Sequence, residues 1–138
     1  MATYNKYLPA VGPLLKAITL ATDTWKIALA TTVTNTDTSF TPGTTDLATS
    51  GGYTAGGNSA AVTSSTVTSG TLNLVLADPA TWTASGGGFT FRYVILWNAT
   101  NSIPVGYWDY GSSVVMNGTN ADTFTVSLDG TNGVFSVT

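Results

Sequence analysis

Carboxylates are the only side chains here with general acid–base or hard-metal chemistry near neutral pH. The 138-residue chain has no His and no Cys, and all seven acidic side chains are Asp. The commonest general base and the strongest nucleophile are therefore missing, as are thiolate metal sites and disulfides. One pair, Asp78 with Asp109, has the residue types for glycoside hydrolysis. Both have simpler roles. Asp78 precedes Pro79 and suits a turn, and Asp109 is placed to meet Arg92, the only arginine, as a buried structural pair across the core. Asp37 and Asp46 lie in an oxygen-rich loop that could hold Ca²⁺, but the EF-hand spacing is absent. Asn98-Ala-Thr100 and Asn117-Gly-Thr119 fit a glycosylation pattern and read as turns. No motif calls for a cofactor, a resident metal or a catalytic residue, so a non-enzymatic protein is expected.

Binding chemistry is better represented. In Val105 to Tyr110, strand alternation puts Tyr107 on one face and Trp108 and Tyr110 on the other. Exposed Trp and Tyr stack on sugars or fill a partner's pocket. Burial of both faces under core and loops is the competing expectation, since Trp is largely buried on average.

These residues sit on an aromatic segment, Phe89-Thr-Phe-Arg-Tyr-Val-Ile-Leu-Trp97, a polar Asn98 to Ser102 turn, and Ile103 to Gly111. Phe89, Phe91, Tyr93, Ile95 and Trp97 alternate with Thr90, Arg92, Val94 and Leu96. The pattern predicts a central hairpin buried along one face and partly along the other. Around it lie Thr24–Ala30, Ala60–Ser69, Thr71–Ala77, Thr81–Ala84, Thr123–Leu128 and Val134–Thr138, all strand-like. Gly70 marks a turn or a bulge, and Asp129-Gly-Thr-Asn-Gly133 reads as a hairpin turn joining the last two segments. The prediction is an all-β antiparallel sandwich or jelly roll of about eight short strands.

Residues 1–22 differ, and are read as an arm or short helix ahead of a single sandwich domain over 23–138. Tyr4, Tyr7, Leu8, Val11, Leu14, Leu15 and Ile18 recur at helical spacing. Pro9 and Pro13 oppose one continuous helix, so a short helix from Pro13 to about Leu20 is expected. Either it plugs the sandwich or it docks on a neighbour. Between Thr31 and Gly57 the chain is Thr-, Asn-, Asp- and Gly-rich, with Val33, Phe40, Leu47 and Tyr53 as its anchors. Loops of that length are commonly functional.

Charged residues make up 8% of the chain, with a net charge of −3 and only four cations. Nucleic-acid binding, which depends on phosphate neutralisation, is not expected. Nor is a membrane partner, since no apolar run approaches the roughly 20 residues that span a bilayer. The N-terminus has no continuous apolar core of a signal peptide, so synthesis in the cytoplasm is expected. A surface so thinly charged suits a chain covered by neighbours in an assembly.

One group of proteins shares the segments Tyr4-Asn-Lys-Tyr-Leu8, Thr24–Ala30, Gly51-Gly-Tyr-Thr-Ala-Gly-Gly57, Thr81-Trp-Thr83, Phe91–Asn98 and Val105-Gly-Tyr-Trp-Asp-Tyr-Gly111. The chain resembles, over nearly its whole length, small virion proteins encoded in the structural modules of tailed bacteriophages. The resemblance implies a structural subunit that decorates or cements the capsid. It would sit on the outer surface of the head, bound to the major capsid protein and to copies of itself as a homo-oligomer such as a trimer. Under that reading Tyr4, Tyr7, Leu8, Leu14, Leu15, Phe40 and Tyr53 are the candidate partner contacts. The alternative is a carbohydrate-binding module or fibre component that stacks host glycans on Trp108 or Tyr110.

Overall fold

The computed structural model describes residues 2–137, and within them nothing is described of the side chains of Leu14, Leu15 and Lys16. Ten strands run in the order β1 (Thr3–Lys6), β2 (Trp25–Ala30), β3 (Asn58–Ser59), β4 (Val62–Thr68), β5 (Thr71–Leu76), β6 (Trp82–Thr83), β7 (Phe89–Asn98), β8 (Ile103–Met116), β9 (Thr123–Phe124) and β10 (Phe135–Val137). The helical content is a 3₁₀ turn at Leu8–Ala10 and helix α1 at Val11–Lys16. The all-β expectation holds, and every strand pairing is antiparallel.

The strands form a five-stranded sheet, β1-β8-β7-β2-β3, a three-stranded sheet, β10-β5-β4, and the pair β6-β9. The inner face of the large sheet packs on the smaller ones. Trp25, Ile27, Leu29, Val94, Leu96 and Val105 meet Leu74, Leu76, Trp82, Val126 and Val134 in one buried cluster. A second cluster lies on the outer face of the same sheet, where Ala28, Ala30, Ile95 and Trp97 pack with Tyr7, Ala10 and Phe40. Phe40 comes from the 31–57 loop, and Tyr7 and Ala10 from the N-terminal segment. The large sheet is thus buried on both faces, one under strands and the other under irregular chain. Burial on both faces is what lets β2 and β7 be nearly continuous apolar runs in an antiparallel sheet.

Strict alternation along β7 fails at one point. Phe91 pairs with Val114, but Tyr93 pairs with Asp109, so Arg92 faces four residues of β8, Tyr110 to Ser113. Such a bulge reverses which parity of residue faces inward. Phe89 and Phe91 join the inner core with Val94 and Leu96, whereas Tyr93, Ile95 and Trp97 join the outer one. The single face predicted for Phe89 through Trp97 is thereby corrected.

Two further expectations change. The helix expected from Pro13 to about Leu20 lies instead at Val11–Lys16. Thr3–Lys6, in the segment read as an arm, pairs with β8 through Thr3–Asp109 to Lys6–Gly106 and forms an edge of the large sheet. Its Thr and Tyr content favours a strand, and Pro9 and Pro13 confine helix to residues 8–16. The N-terminal segment is therefore continuous with the sandwich. The 129–133 turn does not close a hairpin either: β9 pairs with β6 and β10 with β5. Val134 donates its amide to Leu74 and lies in the inner core, so burial draws the last segment to β5.

Candidate functional site

Carboxylates tie down loops wherever their contacts are seen. Asp46 is buried and accepts from the amides of Gly43 and Gly56, both at 2.6 Å, and from the Tyr53 hydroxyl at 2.5 Å. With those donors in place it closes the 43–56 loop. Asp78 accepts from the Leu128 amide at 2.7 Å and, at 3.4 Å, from the Ser127 hydroxyl. Asp109 takes two bonds from Arg92, at 2.8 and 2.9 Å, and one from the Gly111 amide. No group of three or more metal-ligating acidic side chains occurs among the described residues.

The Arg92–Asp109 pair forms as expected, but not across the core. The two residues are on neighbouring strands of one sheet, with side chains 38% and 30% exposed. They brace the bulge between β7 and β8. The Arg92 guanidinium also lies 5.2 Å from the Tyr93 ring centroid. Arg92 first, then the Gly111 amide, hold the Asp109 carboxyl below the usual aspartate range. Asn98 is fully buried and binds Asp23 and Asn101, and Asn117 accepts from the Thr119 amide, so both Asn residues build turns.

The candidate partner contacts separate by burial. Tyr7, Phe40 and Tyr53 are buried in the chain's own cores and offer no surface to a neighbour, which corrects their reading as free contacts. An aromatic side chain in a Thr-rich loop gains as much from docking on its own sheet as on a partner's. Leu8 is exposed, as is Val11 beside it. Tyr4 is half-buried. Leu14 and Leu15 lie outside the described side chains.

A cleft opens where the edge of the large sheet meets the 126–134 segment. It has a volume of about 470 Å³, and Trp108 and Tyr110 line it together with Tyr4, Ser127 and Asp129. The bulge explains the placement, since it frees Tyr110 from the β7 ladder while Trp108 stays paired between Val94 and Tyr4. Tyr4 and Trp108 meet edge to face at 5.2 Å. Tyr110 is held edge-on by Phe91 and Phe124. Gly106 makes room for this arrangement, because a Cβ there would fall within the Tyr4 ring. Sequence alternation grouped Trp108 with Tyr110. It missed Tyr4, which arrives by a pairing between opposite ends of the chain, and Asp129, which read only as a turn residue.

A second exposed feature is the outer edge of the three-stranded sheet. Strand β4, Val-Thr-Ser-Ser-Thr-Val-Thr, pairs with β5 on one side and, among the described residues, with no strand on the other. It carries no charge and no proline. Residues 66 to 70, at the end of the β4–β5 hairpin, are all exposed, and Val67 is 66% accessible. No protein-family model, curated protein or solved structure matches this chain.

Proposed function

We propose that this protein is a non-enzymatic structural component of a phage virion, a decoration or cement subunit that binds the assembled head. Binding only the assembled shell would stabilise it by mass action. The open edge of β4 is the observation that carries the reading. An unpaired strand of seven uncharged, largely β-branched or hydroxylated residues is a template for adding another strand, and soluble monomers usually block such edges with Lys, Pro or a covering loop. Here the occupant is β4 of a second copy. Antiparallel pairing about a two-fold axis is self-complementary and meets no like charges. The exposed Leu8 and Val11 are then left to face the shell protein.

Support also comes from the carboxylates: those of Asp46, Asp78 and Asp109 are committed to loop closure and an ion pair. The resemblance to small virion proteins of tailed phages points the same way. The test is sedimentation with heads lacking this protein. Saturable co-pelleting at a fixed ratio to the shell subunits is expected. Val67→Lys should weaken self-association, and Leu8→Asp with Val11→Asp should weaken head binding. No co-pelleting at any protein excess would sink the cement reading.

A further inference from the structure

We infer that the Tyr4–Trp108–Tyr110 cleft is a binding site for a neutral, pyranose-based oligosaccharide, independent of attachment to any shell. Its volume of about 470 Å³ lies within the range of small-molecule sites. Its lining combines three aromatic rings with hydroxyl groups and one carboxylate. A pyranose has the matching character, with an apolar C–H face that packs on rings and hydroxyls that exchange hydrogen bonds at its rim.

The polar groups are in usable states. Burial pushes the Tyr4 hydroxyl up to about 12, so it remains a neutral donor and acceptor. Asp129 is held ionised by the Asn132 amide, then the Asn132 side chain and the Thr131 amide. Its Oδ1 takes both backbone donors, and its Oδ2 takes the Asn132 side-chain amide alone. One acceptor direction on Oδ2 is left for a ligand hydroxyl.

Charge narrows the ligand class. Among the described residues no Lys or Arg lines the cleft, and Asp129 supplies the only charged side chain, which disfavours phosphorylated and sialylated ligands. A quaternary ammonium group would demand an aromatic box that closes around it. Here Tyr110 is 44% exposed and Asp129 is already bonded three times, which suits an acceptor for one hydroxyl better than a counter-ion. The rings are also pre-positioned, Trp108 within the ladder and against Tyr4, and Tyr110 against Phe91 and Phe124, so little order is lost on binding.

The full chain would be screened on an array of neutral and anionic glycans. Tryptophan fluorescence would then be titrated with cellotetraose and chitotetraose, with choline and sialyllactose alongside. Saturable binding to a neutral glycan is expected, weakened roughly tenfold by Tyr110→Ser and by Trp108→Phe at unchanged oligomeric state. Thermal unfolding of both variants shows whether they fold, and Tyr110, being exposed, provides the variant that does. Silence of every neutral glycan on the array overturns the inference. So does binding indifferent to Tyr110→Ser, binding of choline or sialyllactose alone, or a loss of self-association in Tyr110→Ser, which would make the cleft a protein seat.

Discussion

The Phe40 ring lies 3.9 Å from that of Trp97, stacked within 13° of parallel, and it covers the outer face of the large sheet. Phe40 also donates its amide to the Ser102 carbonyl in the β7–β8 turn, and Leu47 donates to Leu29 on β2. The 31–57 segment has almost no regular structure, yet it acts as a third layer of the protein. Phe40→Ala should therefore behave as a core substitution and cost about 3–5 kcal/mol. For a chain of this length that is a fall in Tm of roughly 10–17 °C. Limited proteolysis should show new cleavage within 31–57 at temperatures where the wild type resists. An unchanged Tm with unchanged cleavage would show that the loop is not a layer.

Two buried tyrosines should respond oppositely to loss of their hydroxyls. The Tyr53 hydroxyl accepts from the Leu29 amide at 3.0 Å and donates to Asp46. Tyr53→Phe leaves that amide and part of the carboxylate buried without partners, at a cost of about 1–3 kcal/mol. The Tyr7 hydroxyl is buried with no hydrogen-bond partner among the described residues. Tyr7→Phe removes a desolvated polar atom and keeps the ring packing against Tyr107. Its stability should be unchanged or higher by about 1 kcal/mol. Urea unfolding of the two variants side by side gives the sign of each.

What the sequence made legible was local. The Leu72–Leu74–Leu76 alternation, the apolar run from Trp25 to Ala30 and the aromatic hairpin all became strands, because side-chain period is a property of the segment itself, although β8 runs on to Met116, past its predicted end at Gly111. Pairing was not local. Nothing around Arg92 announces that four residues of β8 will bulge opposite it, and that bulge decides the face of every residue on one side of it. The same limit hid the cleft. Trp108 and Tyr110 share a parity, whereas Tyr4 and Asp129 reach them only through β1–β8 pairing and the path of 126–134. Phe40 and Tyr53 show a further ambiguity, since an apolar side chain in a polar loop looks the same whether it docks on its own sheet or on a neighbour.

Acid should act through the carboxylates that gain partners on folding. Asp109 is lowered chiefly by Arg92, and Asp129 by Asn132, from an ordinary value of 3.8. A folded-state value below the unfolded one means stability that is fully present above the unfolded value. It is lost as pH falls through the folded one. Tm should thus hold steady from pH 7 to about 5 and decline below about pH 4. Asp109→Asn should lower Tm at pH 7 and make the acid decline shallower. A decline equal to that of the wild type would place the responsible groups elsewhere.

Within Gly51-Gly-Tyr-Thr-Ala-Gly-Gly57, the last glycine stands hard against a core strand. Gly57 is buried at φ +69°, and a Cβ there would overlap the Ile27 carbonyl and crowd Ala28 Cα, both on β2. Gly57→Ala must therefore either push β3 off β2 or shift the strand that carries Ile27 and Leu29 into the inner core. Gly70, in the exposed β4–β5 turn, provides the control. It has φ +82° with no atom within 4 Å of an added Cβ, so Gly70→Ala bears only the left-handed backbone cost of about 1–2 kcal/mol. Gly70→Ala should fold with a Tm a few degrees lower. Gly57→Ala should lose far more, with a Tm drop at least twice as large or no soluble folded protein at all. Equal drops for the two would mean that backbone conformation alone, without the contact against β2, explains why glycine stands at 57.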